Sequence, residues 1–279
     1  MRIGYNTNGF AHHRLDDALA ILAELGYSAV AITPDVHHLP PFETTPAGLR
    51  TVRRRLEELG LAAVIETGAR FVLDPRRKHR PNLLEAEREG RHRRLAFLVR
   101  CAEIAGEIGA GVISIWSGAK PAEVGIDEAW LLLQDGVAAL CERAADLGIR
   151  VGFEPEPGMF VETLAQWDRL RDAVRHPALS LTLDVGHVPC TESVTPAHAI
   201  VERADELCNV HLDDVRGGVH EHLQIGDGEL DWPAIAAALR QSGDQGIAEF
   251  ELSRHSHTAP TAAAEALQRF RRYLESSPG

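Results

Sequence analysis

Four side chains of metal-ligand type each close a short apolar run in this chain: Glu154 after "IRVGF", Asp184 after "LSLTL", His211 after "ELCNV" and Glu251 after "GIAEF". Carboxylates fit poorly at the ends of runs rich in Val, Ile, Leu and Phe unless something offsets the cost of burying them. A divalent cation does so. Oxygen donors with a single imidazole suit Mn²⁺, Mg²⁺ or Co²⁺ better than a thiolate site would, and they also admit Zn²⁺. Taken singly, each residue has an ordinary explanation. A strand-end Glu is commonly solvated or caps a helix, and a lone His in a strand is commonly a hydrogen-bonded core residue. The joint pattern is harder to explain that way, because it asks for one shared point. Parallel strands with converging C-terminal ends would supply that point.

The elements needed for this are legible in order. "RIGYN" reads as a strand ending at Asn6, and a helical stretch follows from Leu15 to Leu25, stopped by Gly26. "AVAIT" is the second strand. Thr45 and Pro46 open a helix that ends at Gly60, and "LAAVIE" runs to Glu66. The long basic stretch "TGARFVLDPRRKHRPNLL" exceeds a plain connection and reads as a functional lid. Helices are expected over Glu89–Ile108, from an Asp127 cap to Leu147, and near Leu164–Val174, Pro196–Ala204, Trp232–Arg240 and Pro260–Leu274. Between them lie "GVISIW", "IRVGFE", "LSLTLD", "ELCNVHLD" and "GIAEFEL". Short strands rich in Val, Ile and Leu suit a parallel sheet buried on both faces. Strict alternation of eight such units predicts an α/β fold, a (β/α)8 TIM barrel forming a single domain over residues 1–279. A doubly wound open sheet is the alternative, but "NTNGFAHH" lacks the glycine-rich phosphate turn that such sheets carry after their first strand.

Bulk properties narrow the function classes. The net charge of −12 opposes binding to nucleic acid or to an anionic membrane. No stretch is apolar over the length needed to span a bilayer, and "MRIGYNTNGF" has no apolar signal core. Cys101, Cys141, Cys190 and Cys208 form no C-x-x-C pair, so reduced thiols and a cytoplasmic location are expected.

"FEPEPG" at Glu154, "LDVGH" at Asp184 and His187, "NVHLDD" at His211, "HEHLQIGDGELDW" after it and "EFELSRHSH" together resemble the xylose isomerase-like barrel superfamily, the sugar phosphate isomerase/epimerase group, over nearly the whole chain. The resemblance implies one divalent ion on Glu154, Asp184, His211 and Glu251. It also implies that His187, of the D-x-x-H motif, and the downstream Arg216 hold substrate oxygens. Glu249 competes with Glu251, since side chains two apart share a strand face. Glu251 is preferred because it lies nearer the strand end and at the position of the family's acidic residue.

The expected reaction follows. A bound ion of this kind holds two adjacent oxygens of a hydroxyketone and stabilises an enediolate. Glu154 and Glu251, from non-adjacent strands, would flank the substrate as base and acid, giving an epimerase or isomerase of a sugar, ketose or cyclitol, with or without phosphate. His222, on the loop after the seventh strand, and Glu66 and Trp116, at the third and fourth strand ends, are further substrate-binding candidates. Phe10 and Trp116 could wall the carbon skeleton, and Arg76, Arg77, Lys78 and Arg80 could take a phosphate or carboxylate. A dehydratase of a cyclitol ketone is the alternative. An abasic-site endonuclease fits less well, since it needs several metals and extra histidines where Glu66 and Trp116 stand. A non-catalytic sugar-binding module would not need the paired acid/base groups. The expected partner is a small polyol, with no nucleic acid or membrane, and pairing into a homo-oligomer accords with the family.

Overall fold

The apolar runs become parallel strands because each can bury both faces only between a barrel interior and a surrounding layer of helices. The computed structural model describes residues 1–243 and 246–276. In chain order the strands are β1 (Arg2–Tyr5), β2 (Ala29–Ile32), β3 (Ala62–Glu66), β4 (Val112–Trp116) and β5 (Arg150–Glu154). They continue as β6 (Leu179–Asp184), β7 (Leu207–Leu212), β8 (Asp214–Arg216), β9 (Val219–Leu223) and β10 (Ile247–Phe250). Eight of these form one sheet in the order β1-β10-β7-β6-β5-β4-β3-β2. β1 pairs in register with β10, from Arg2 opposite Ile247 to Tyr5 opposite Phe250. A bridge between Asn6 and Ala31 brings the two ends together. The result is a nearly closed (β/α)8 barrel.

Helices fill the crossovers: α1 (Leu15–Leu25), α2 (Pro46–Leu59), α3 (Arg88–Ile108), α4 (Ile126–Asp146), α5 (Leu164–Val174), α6 (Val188–Thr191), α7 (Pro196–Glu202), α8 (Trp232–Gln241) and α9 (Ala259–Ser276). Their ends follow capping chemistry. Thr45 accepts the Gly48 N–H at 3.2 Å, and Gly26, Gly60 and Gly109 close their helices in the left-handed conformation. One cap departs from the sequence reading. Gly125, not Asp127, is the N-cap of α4, and Asp127 lies inside the first turn, where its carboxylate still complements the helix dipole.

Alternation along each strand sorts side chains into two cores. Val151, Phe153, Leu181, Leu183, Val210 and Phe250 face the helices in the main hydrophobic cluster, whereas Ala31, Val64, Val112 and Cys208 form a small cluster inside the barrel. One irregularity matters for function. The β6–β7 register shifts between Leu181 and Thr182, so that Leu181 opposes Leu207 but Thr182 opposes Asn209. This bulge absorbs Cys208 and lets Asn209 and His211 face inward together.

The loop after the seventh strand is an antiparallel hairpin of β8 and β9, which places His220 and His222 on a strand. Its anchor is Asp214, fully buried, whose carboxylate accepts the N–H groups of Val215 (2.9 Å), Gly226 (2.8 Å) and Leu230 (3.2 Å) and the Trp232 indole N–H (2.8 Å). Gly228 closes the same turn: a Cβ there would lie 2.1 Å from Asp214 Oδ1 and 2.4 Å from the Val215 carbonyl. Gly226, Gly228, Leu230 and Trp232 of "HLQIGDGELDW" thus wrap the Asp214 carboxylate, and that part of the motif is loop architecture.

Candidate metal centre and active site

Glu154 and Asp184 close β5 and β6, His211 is the penultimate residue of β7, and Glu251 follows the last residue of β10. Each offers one ligand atom, and these atoms all lie within 4.8 Å of one another. The His211 ring orders the group. Its Nδ1 is 3.1 Å from Glu154 Oε1, 3.0 Å from Glu251 Oε2 and 3.9 Å from Asp184 Oδ2. Its Nε2 faces Glu66 Oε1 at 2.9 Å and Glu249 Oε1 at 3.1 Å. The competing glutamates thus touch opposite edges of one imidazole. Glu251 stands with the other carboxylates, while Glu249 and Glu66 are placed to accept the Nε2 proton, the arrangement that leaves the Nδ1 lone pair aimed at the cluster. Asn209 donates to both Glu66 (3.0 Å) and Glu249 (3.1 Å) from below.

This donor set fits a hard divalent ion. Asp184 Oδ1 accepts the N–H groups of Gly186 (2.7 Å) and His187 (3.3 Å), but its buried Oδ2, which faces His211, has no hydrogen-bond donor among the described residues. Asn8 steadies Glu251 through a 2.8 Å hydrogen bond. Burial pushes the Asp184, Glu154 and Glu66 carboxyls above their ordinary range. His211 is also buried, yet the Glu154, Glu66 and Glu251 carboxylates carry its pKa well up. Glu251 shifts the other way: burial works against its charge, but the imidazole of His211 beside it holds its pKa far below the usual value. Such a cluster retains protons that a cation would displace.

Above the cluster opens a cavity of about 410 Å³. Glu154 and Glu251 reach its surface, whereas Asp184 and His211 lie beneath. His187, His222, Glu66 and Trp116 also line it. His187 is held by the Pro155 carbonyl (3.2 Å) and meets His220 Nε2 at 3.1 Å, which in turn meets His222 Nε2 at 2.8 Å. His222 ion-pairs with the fully buried Asp213. Burial opposes its charge, but Asp213 carries its pKa up to about 10. Gly186 lets this pair form, since a Cβ there would sit 1.9 Å from Asp213 Oδ1. Glu156, two residues after Glu154, also lines the cavity, and burial together with the charges of Glu154 and Glu251 raises it to about 8.

Several sequence expectations are corrected. Arg216 does not reach the cavity: it is exposed on the hairpin, with its guanidinium on the Asp227 carbonyl. Arg254 lines the cavity instead. Glu66 lines the cavity but is buried, with its Oε1 2.9 Å from His211 Nε2. Phe10 is fully buried, edge-on to Tyr5 at 5.4 Å, and walls nothing. The basic run splits: Arg77 pairs with Asp74 and Arg80 with Glu85, while Lys78 lines the cavity. Asn8, Asn209 and Asp213 escaped the sequence reading, because amides and a second aspartate next to an apolar run carry no signature of their own. Glu156 stood within "FEPEPG" unremarked.

Residues 19–273 match the family model of the xylose isomerase-like TIM barrel. The chain belongs to that family. Among its curated relatives, an inosose dehydratase of Lacticaseibacillus casei is 27% identical over 137 residues, covering 43% of this chain and 46% of that enzyme, so the chain spans about half the length of that relative. An inosose dehydratase of Geobacillus kaustophilus aligns more broadly, at 25% identity over 94% of this chain and 89% of the enzyme. Solved structures share the fold. The IOLI protein, with a bound zinc atom, superposes with a TM-score of 0.80 at 16% identity, covering all of both chains. The 3-keto-D-glucoside 4-epimerase YcjR of E. coli gives 0.80 at 20% identity over 98% of this chain and 99% of that one. A D-allulose 3-epimerase from Methylomonas sp. gives 0.78 at 19% identity over 98% of each. Among the described residues, no helix of this xylose isomerase-like barrel is long and apolar enough to cross a membrane.

Proposed function

We propose that this chain is a metal-dependent isomerase or epimerase of a sugar, ketose or cyclitol, working by proton transfer at a carbon beside a carbonyl. One observation carries the reading: of the four clustered ligand-type residues, Glu154 and Glu251 alone line the cavity, from strands separated in the sheet by β6 and β7. Glu154, Asp184, His211 and Glu251 would hold one divalent ion, with Mn²⁺, Mg²⁺ or Co²⁺ ahead of Zn²⁺ on donor hardness. Such an ion supplies Lewis acidity to a substrate carbonyl and so acidifies the neighbouring C–H.

The protein's own groups do the rest. Glu154 and Glu251 take and return the proton from opposite sides, which inverts the carbon or relays the proton to its neighbour. Asn8 fixes Glu251 for this. His187 and His222 present imidazole nitrogens to substrate hydroxyls, with Asp213 holding His222 in its charged form. Trp116 offers an apolar face to the carbon skeleton.

Glu154→Gln should keep ligand binding and lose solvent deuterium exchange at the substrate carbon by about 10²–10⁴-fold. Exchange at the parental rate would remove the acid/base role. A second reading, a cyclitol-ketone dehydratase, is favoured by the inosose dehydratase relatives. NMR in D₂O separates the two, because elimination releases water and leaves a new unsaturated product, whereas epimerisation keeps the carbon skeleton's oxygens.

A further inference from the structure

Resting on the isomerase or epimerase reading, we propose that the natural substrate is a polyhydroxy carboxylate whose carboxylate is held by Arg70 and Lys78, away from the four-ligand cluster. Both residues line the cavity, in the segment between β3 and α3. Among the described residues neither is ion-paired, although Arg77 and Arg80 of the same segment have their own acids, Asp74 and Glu85. The wall they flank is also positive from behind. Arg94, 3% exposed, lies over the Trp116 ring at 4.9 Å and over Phe97 at 5.1 Å, with no carboxylate paired to it among the described residues. Burial pushes its pKa down to about 10, which still leaves it charged at neutral pH.

A chain of net charge −12 thus sets three cations against one wall of its cavity, none of them in an ion pair among the described residues, although Lys78 is near enough for its charge to act on Glu156, which also lines the cavity. A buried guanidinium stabilised by two ring faces but by no carboxylate among the described residues is still costly, and an anion bound in front of Trp116 would offset part of that cost. The chemistry favours a carboxylate over a phosphate. Phosphate sites draw on helix N-termini and clustered backbone N–H groups. None of the helices of eight or more residues begins at a cavity residue. One guanidinium fork with one ammonium matches the single charge and planar oxygens of a carboxylate.

Calorimetry on the Mn²⁺-loaded full chain tests this with D-gluconate, its neutral counterpart D-glucitol, and D-glucose 6-phosphate. Gluconate should bind at least about tenfold tighter than glucitol, and Arg70→Met and Lys78→Met should each weaken gluconate about tenfold while leaving glucitol unchanged. Lys78 is exposed, so its variant keeps the fold even if the Arg70 variant does not. Gluconate binding no tighter than glucitol, or a preference that survives both substitutions, overturns the proposal. Tighter binding of glucose 6-phosphate through the same two residues overturns the carboxylate assignment in favour of phosphate. These are equilibrium measurements, so failure of the Glu154 exchange test would leave them standing, and their failure would leave the exchange test standing.

Discussion

His211 is the residue on which the site turns, because its two nitrogens divide five acidic neighbours into two sets. The Nδ1 set binds the ion in the proposed scheme, and the Nε2 set orients the ring. Glu251→Ala should therefore abolish tight metal binding, whereas Glu249→Ala should weaken it about 10–100-fold, the usual effect of removing a group that orients a ligand. Competition with a fluorescent chelator measures both, and equal losses would mean that the two glutamates share one role. The direction of the pKa shifts gives a second expectation. Asp184, Glu154 and Glu66 are raised by burial and His211 by its carboxylate neighbours, so the unloaded cluster binds protons more tightly than the same groups in water. Loading with Mn²⁺ should release protons, and affinity should climb with pH; calorimetry in buffers of different ionisation enthalpy reads this directly. Glu156 extends the effect to stability. Its pKa rises from 4.5 unfolded to about 8 folded, so its contribution is complete below 4.5 and is lost as pH rises through 8. The melting temperature of the metal-free chain should fall across that window, with a shallower slope in Glu156→Gln.

Among the elements, the β8–β9 hairpin decides what faces the cavity. It carries His220 and His222 and hangs on Asp214, which gathers three backbone N–H groups and the Trp232 indole. Asp214→Ala strands those donors in a buried turn, at a cost on the order of 3 kcal/mol or more. Urea unfolding measures the loss, and hydrogen exchange should show the hairpin opening before the barrel. Asp214→Asn retains an acceptor and should cost less. "HLQIGDGELDW" was the most specific stretch of the sequence, yet its specificity comes from this anchor, with His222 its contribution to the cavity. Sequence could point to the motif but not to its purpose, because a buried Asp that caps a turn and one that meets a ligand are the same letter.

For the whole molecule, closure concentrates where β1 meets β10 and β2. Tyr5 lies there fully buried, 5.4 Å from Phe10, 5.8 Å from Tyr27 and 6.4 Å from Phe250, and Tyr27 ties the cluster to α9 through the Ala263 carbonyl at 2.8 Å. Removing the ring opens a cavity at the seam, so Tyr5→Ala should cost about 3–5 kcal/mol in equilibrium unfolding. The Tyr5 hydroxyl has no hydrogen-bond partner among the described residues, which makes Tyr5→Phe neutral or slightly stabilising. A large loss in Tyr5→Phe would show that the hydroxyl, not the packing, holds the seam.

The order of strands and helices was readable from the sequence, and so were the four acidic and imidazole side chains at strand ends, since period-two alternation and glycine stops are local properties of the chain. Direction in space was not. The register shift at Cys208 turns Asn209 and His211 inward, Arg216 lies out on the hairpin while Arg254 lines the cavity, and Glu66 packs against His211. Each of these depends on what a neighbouring strand or loop places opposite, a contact between residues far apart along the chain that only the closed barrel creates.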